Sequence, residues 1–221
     1  MRFVDRKHAG QALVGELDRF RDRGDLVVVG LPRGGVVVAA EVARAFDAPL
    51  DVLVVRKLGV PGHEELAMGA IASGGVQVLD PYVVSLAGVD EAAIARVVAR
   101  EQAELARREQ AYRGDREPVE VAGRTVLVVD DGLATGSTML AAVRALRSRG
   151  PARIVVGSPV GAVQSCALLE REANEVVCAA RPHPFYSVGT WYADFRDTPD
   201  AEVRALLEEA SRRAGGGPVA V

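Results

Sequence analysis

The chain has 221 residues, of which 49% are hydrophobic and 26% charged, and its formal net charge is −3. That length suits one well-buried domain of an ordinary globular protein. The mildly acidic balance excludes broad binding to nucleic acid or anionic membrane, which needs a net or concentrated positive field.

Residues 8–23 carry Ala9, Leu13, Leu17 and Phe20 at helical spacing, with Gly24 as the stop. Leu26-Val27-Val28-Val29 is a continuous apolar run, which predicts a strand buried on both faces. It runs into Gly30-Leu31-Pro32-Arg33-Gly34-Gly35, and a helix is expected from Val36 to Phe46. Asp51 to Val55 repeats the strand pattern and ends at Arg56-Lys57. Leu58 to Glu65, punctuated by Gly59, Pro61 and Gly62, reads as a flexible loop, followed by a hairpin of Leu66–Ala72 and Val76–Leu79.

Asp90 caps an expected long helix to about Tyr112, with Ile94, Val97, Val98 and Leu105 on one stripe. The charges around that stripe predict a solvated excursion from the core, with a partner surface as the alternative. Core strands are expected again at Thr125–Val129, Ile154–Gly157 and Glu175–Ala179, with a helix from Ser137 to Arg149. A last helix is expected to start at Thr198-Pro199. Strands alternating with helices imply an α/β fold, a parallel core sheet of about five strands flanked by helices. A small hood, a long helical insertion at about 80–115 and a disordered tail over 214–221 complete a single expected domain over 1–213.

The charged start from Met1 to His8 has no apolar stretch, so no signal peptide is expected. No apolar run approaches the ~18–20 residues that span a bilayer. Cys166 and Cys178 belong to no CxxC pair and are expected as free thiols in a reducing cytoplasm. His8, His63 and His183 show no spacing for a zinc site.

In parallel sheets ligands bind beyond the carboxyl ends of the strands, so the functional reading starts there. Val126 to Val129 deliver Asp130 and Asp131 to a strand end, followed by Gly132, Leu133, Ala134, Thr135, Gly136, Ser137 and Thr138. Gly136 allows close backbone approach, and successive amides at a helix start, joined by three hydroxyls, make a phosphate cradle. Two carboxylates beside an anion site need another task. They can accept hydrogen bonds from a sugar diol or share a divalent metal through water; capping or turn roles are the bland alternative. Gly34, Gly35 and Arg33 suit a pyrophosphate, although the spacing is not that of a dinucleotide-binding loop.

The run from Val126 to Thr138 resembles the phosphoribosyl-pyrophosphate signature of the type I phosphoribosyltransferases: four apolar residues, two acidic ones, three variable ones, then Thr-Gly-x-Thr. Arg56 to Gly62 and Val129 to Met139 are also similar to stretches of adenine phosphoribosyltransferases. The resemblance implies that Asp130 and Asp131 bind the ribose hydroxyls and that Ala134, Thr135, Gly136, Ser137 and Thr138 hold the 5′-phosphate. It places the pyrophosphate with Arg33, Gly34, Gly35, Arg56 and Lys57. A mobile loop over Gly59–Ala70 would carry Glu65, Glu64 or His63 to handle a proton of the base, solvated loop charges being the even alternative. The implied catalytic set is Lys57, Glu65, Asp130 and Asp131. Mg²⁺, held by Asp130 and Asp131 through water, is the implied cofactor.

The implied partners are phosphoribosyl pyrophosphate, an unidentified base and, as in many relatives, a second copy in a homodimer; no nucleic acid and no membrane are expected. A second class of function is a sensor that binds phosphoribosyl pyrophosphate without turning it over. A sugar-phosphate phosphatase is a third, without a nucleophile motif to support it. Aromatics at Phe185, Tyr186, Trp191, Tyr192 and Phe195 would stack on a base in the hood or simply pack a terminal lobe.

Overall fold

The computed structural model describes residues 2–215. Five strands form a parallel sheet: β1 (Leu26–Gly30), β2 (Leu50–Val52), β6 (Thr125–Val129), β7 (Arg153–Val160) and β8 (Glu175–Ala180), in the order β2-β1-β6-β7-β8. Between β2 and β6 a second, antiparallel sheet of three strands intervenes: β3 (Val55–Val60), β4 (His63–Ala72) and β5 (Val76–Leu79).

The parallel strands are mostly apolar because both faces of the sheet are covered. Val28, Leu127, Val155 and Val177 point into a cluster with Leu13 and Leu17 of α1 (Arg6–Glu16), Val38 and Val42 of α2 (Gly34–Ala45), and Val203 and Leu207 of α7 (Asp200–Gly215). Val27, Val126, Val128 and Val156 take the other face with Met139 and Val143 of α5 (Ser137–Arg147) and Leu169 of α6 (Val163–Leu169). This period-two partition is what strands buried on two sides require.

Three sequence expectations within the body of the domain are corrected first. The first helix stops at Glu16 and is followed by a single 3-10 turn, Asp18–Phe20, because Leu17 and Phe20 tuck into the core rather than continuing the helical stripe. Leu58–Glu65 is not a loop: β3 and β4 form a hairpin with Val60 opposite His63, so Pro61-Gly62 is its two-residue turn. Gly62 supplies the positive φ that this turn needs. The third correction concerns the long helix, α4 (Glu91–Arg113). It is no excursion, since Val97, Leu105 and Tyr112 are buried in the main core cluster and the helix packs on β3 and α7.

A short helix, α3 (Pro81–Leu86), leads into α4. Asp80 accepts from the amides of Tyr82 and Val83 at its start, the usual side-chain cap. Ala214 and Gly215, expected in the tail, close α7, while 216–221 lie outside the described residues. No helix among the described residues is long and apolar enough to cross a membrane.

Candidate active site

The strand order reverses between β1 and β6: the chain builds β2 on one side of β1 and β6, β7 and β8 on the other. Ligand crevices in open α/β sheets form at that switch point. Here the two strands that flank it end in the two loops of interest, 30–35 and 130–138. Leu31 N donates to Val129 O at 2.9 Å, so the loops leave the sheet side by side.

Gly34 and Gly35 lie directly against the acidic pair. A Cβ on Gly35 would be 2.8 Å from Val129 O and 2.9 Å from the Asp130 Cα, and one on Gly34 would overlap the Asp131 carboxylate and Arg6 Nε. The two glycines therefore bring backbone amides to the carboxylates where any side chain would fill the crevice.

The loop after β6 is braced from behind. Leu133 N donates to Val160 O and Ala162 N to Leu133 O, both at 2.9 Å, and Ser165 Oγ of α6 donates to Ala134 O. Cys166, next in α6, is buried with its Sγ 3.1 Å from that of Cys178 on β8; both are free thiols, as expected. On the open side Gly136, at φ 76°, forms the N-cap of α5 without a side-chain cap. Thr135 Oγ1 lies 3.1 Å from Ser137 Oγ, and Leu140 N donates to Gly136 O at 2.8 Å. The amides of Thr138 and Met139 have no acceptor among the described residues. Thr138 and Met139 are among the residues around a cavity of about 130 Å³, together with Asp130 and residues 132–137. Unpaired amides at the positive end of a helix are an anion site.

The two carboxylates differ. Asp130 Oδ1 accepts from the amide of Asp131 at 2.9 Å; burial and the adjacent Asp131 push its carboxyl well above the usual range. Burial pushes Asp131 up as well, opposed by Arg6, whose Nε donates to Asp131 Oδ2 at 2.7 Å. The Tyr192 hydroxyl donates to the carbonyl of Asp131. Arg6 and Tyr192 are neighbours of the acidic pair that the sequence did not announce.

The hood follows from those contacts. Phe3 pairs with Tyr192 in a short parallel bridge, and the Phe3, Tyr192 and Phe195 rings meet at a tilt in one cluster with Val160. Of the two readings of the aromatics, packing holds for Tyr192, with Phe185, Trp191 and Phe195 against it, whereas Tyr186 is 81% exposed.

The cations are dispersed. Arg33 faces Asp197 at 3.4 Å and Asp200 at 3.9 Å. Arg56 donates through Nε and Nη2 to Glu101 Oε2 of α4 at 3.0 and 2.7 Å. Lys57 Nζ reaches the carbonyl of Glu65 at 3.4 Å across the hairpin and its carboxylate at 3.9 Å. So the structure gathers Gly34, Gly35, Asp130, Asp131 and the 134–138 loop into one crevice, and engages Arg33, Arg56 and Lys57 with three separate sets of carboxylates. His63, Glu64 and Glu65 are exposed on β4.

A parallel five-stranded sheet with a glycine-containing loop and an acidic pair at its switch point, under a small hood, is the type I phosphoribosyltransferase fold. The model of the phosphoribosyl transferase domain matches residues 6–189, and the chain belongs to that family. Over 210 residues, 95% of this chain, it is 45% identical to proteins of two Mycobacterium tuberculosis strains, CDC 1551 / Oshkosh and H37Rv, each bearing the name "Putative phosphoribosyl transferase". The match takes in 47% of those relatives, so the chain spans about half their length. The crystal structure of TT1426 from Thermus thermophilus is 44% identical and superimposes with a TM-score of 0.86, covering 95% of this chain and 99% of that one.

Proposed function

We propose that the chain binds phosphoribosyl pyrophosphate across the crevice and transfers its ribose 5-phosphate to a nitrogen nucleophile, a purine-like base, releasing pyrophosphate. The observation that carries this reading is a helix start at which the amides of Thr138 and Met139 have no acceptor among the described residues, set beside two adjacent carboxylates. A phosphate site alone would not need acidic neighbours, and a capping role would not leave those amides unpaired.

In this reading the 134–138 loop holds the 5′-phosphate through amides and the hydroxyls of Thr135, Ser137 and Thr138. Asp130 and Asp131 accept hydrogen bonds from the ribose diol and place negative field beside the anomeric carbon as it gains positive charge. The amides of Gly34 and Gly35 meet the pyrophosphate, joined by Lys57 and by Arg33 once it leaves Asp197 and Asp200. Arg56 reaches it only by leaving Glu101. Glu65, at the exposed start of the β4 hairpin strand, is the group for a proton of the base.

Magnesium fits the acidic pair. The ion keeps several waters and takes one or two carboxylates together with substrate phosphates. The Asp130 side chain takes only the Asp131 amide from the described residues and so retains acceptor capacity. When bound, the ion supplies charge stabilisation to the leaving pyrophosphate. The same reading makes residues 1–213 one catalytic domain acting in the cytoplasm as a homodimer.

The test is pyrophosphate release in the presence of Mg²⁺ and a panel of nucleobases. Release that depends on one base supports a transferase. Calorimetric binding of phosphoribosyl pyrophosphate with no release under any base supports the sensor reading instead. Absence of binding removes both.

A further inference from the structure

We propose that Arg6 is a positioning residue for the sugar half of the site, fixing Asp131 so that one carboxylate oxygen is presented to the ribose hydroxyls. This rests on the function proposed above. The first turn of a helix is an unfavourable place for a cation, because the positive end of the macrodipole lies there. Arg6 is the first residue of α1, and that turn contains no acidic residue to offset it. The helix start is already capped by Asp5, which accepts from His8 N at 2.8 Å. The guanidinium therefore has its use elsewhere, and its contacts show where.

It leaves α1 and ends against the strand end of β6. Nε donates to Asp131 Oδ2 at 2.7 Å, Nη1 donates to the carbonyl of Arg196 at 2.7 Å, and the guanidinium carbon lies 4.0 Å from the centroid of the Phe195 ring. The side chains of Arg6 and Asp131 are only 12% and 16% exposed. One group thus ties together α1, the acidic pair and the hood. Phe195 below and the Arg196 carbonyl beside it leave the planar fork little freedom, which is the setting in which arginine and lysine are not interchangeable.

The consequence lies in what is left free. Asp131 is held at two atoms: Oδ2, where Arg6 donates and Gly34 lies close, and its own carbonyl, where the Tyr192 hydroxyl donates. Oδ1 has no protein partner among the described residues. An ionised carboxylate has capacity for several hydrogen bonds, so anchoring one oxygen and leaving the other open prepares an acceptor for a diol. Arg6 also opposes the burial that pushes the Asp131 carboxyl up. Among the described residues the contacts of Arg6 do not reach the loop at 134–138.

That asymmetry gives the test. Binding of phosphoribosyl pyrophosphate with Mg²⁺, and separately of inorganic phosphate, is measured by calorimetry for wild type, Arg6→Gln, Arg6→Lys, Asp131→Asn and the Arg6→Gln/Asp131→Asn double variant. The expected result is at least a tenfold loss of phosphoribosyl pyrophosphate affinity in Arg6→Gln, partly recovered in Arg6→Lys, with phosphate binding within twofold of wild type. In the Asp131→Asn background, Arg6→Gln is expected to change affinity by less than threefold. If Arg6→Gln does not fold, Arg6→Lys carries the same comparison, with a smaller loss that again vanishes when combined with Asp131→Asn. Equal loss of both ligands, or equal loss in both backgrounds, overturns the positioning role. So does wild-type affinity in both Arg6 variants. A wild-type protein that does not bind phosphoribosyl pyrophosphate at all overturns the proposed function, and this inference falls with it.

Discussion

Gly34 leaves open the space that the Asp131 carboxylate fills: a methyl group on the glycine would overlap that carboxylate. The two residues come from loops 97 positions apart and meet because β1 and β6 are neighbours in register, Gly30 opposite Val129. Gly34→Ala is therefore expected to displace Asp131, Arg6 or the loop itself. Overpacking of this kind costs about 1–3 kcal/mol. The expected outcome is a lower urea midpoint at unchanged slope together with loss of phosphoribosyl pyrophosphate binding. Full stability and full affinity would mean that the loop yields without cost.

Gly136 has a different constraint, its φ of 76°. A side chain in the left-handed region costs roughly 1–2 kcal/mol, and no cap from the side chain offsets it. Gly136→Ala is expected to lower the denaturation midpoint and to weaken inorganic phosphate binding, because relief of the strain turns the amides of Thr138 and Met139 away from their cavity. Calorimetry with phosphate reads the second effect separately from the first. Unchanged phosphate affinity would remove the helix start from the anion site.

What was legible in the sequence was whatever is local. Val126–Val129 and Leu26–Val29 announce buried strands because every position is apolar, and Asp130 to Thr138 carries its chemistry in consecutive residues. The hairpin of β3 and β4 was missed because its turn residues, Pro61 and Gly62, were read together with Gly59 as a loop, and the alternation of exposed Glu64 with its neighbours is weak. Helix α4 was misjudged through its many charges: Glu101 is buried, but only because Arg56 and Arg100 meet it from other positions. Arg6 and Tyr192 were invisible for the same reason. Their meaning lies in contacts to Asp131 across 125 and 61 positions, and no spacing rule encodes a pairing made only by folding.

Asp25 gives a pH dependence whose sign can be worked out. Hydrogen bonds from Arg23 and then Thr125 hold its carboxyl down to about 2. An unfolded Asp titrates near ~3.9, so the unfolded chain takes up a proton first as the pH falls. The contribution is present above roughly pH 4 and is lost between about 4 and about 2. Both Arg23 and Asp25 are largely solvated, so the effect is expected to be small, as exposed pairs are. Asp25→Asn is expected to lower stability slightly at pH 7 and to leave it unchanged at pH 2. Unfolding curves at the two pH values check this, and an equal loss at both would assign the effect to packing at Thr125.

Glu101 separates the two roles open to Arg56. Burial pushes the Glu101 carboxyl up, but hydrogen bonds from Arg56 and Arg100 outweigh it and hold the group below the usual range. The side chain is only 10% exposed and Arg56 30%, so the pair pins the β3 strand to α4 in a partly dry setting. Glu101→Gln keeps the shape and removes the charge. Losing one partner of a charged hydrogen-bonded pair costs about 1–3 kcal/mol, and the melting temperature is expected to fall accordingly. The same change frees Arg56. If Arg56 moves to the pyrophosphate on binding, wild type must first break the bond to Glu101, and the variant does not. Affinity for phosphoribosyl pyrophosphate is then expected to rise a few-fold in Glu101→Gln even as stability falls, a divergence that no purely structural role produces. A fall in stability with unchanged affinity would leave Arg56 as the anchor of the hairpin and leave Lys57 as the basic side chain of β3 available to the pyrophosphate.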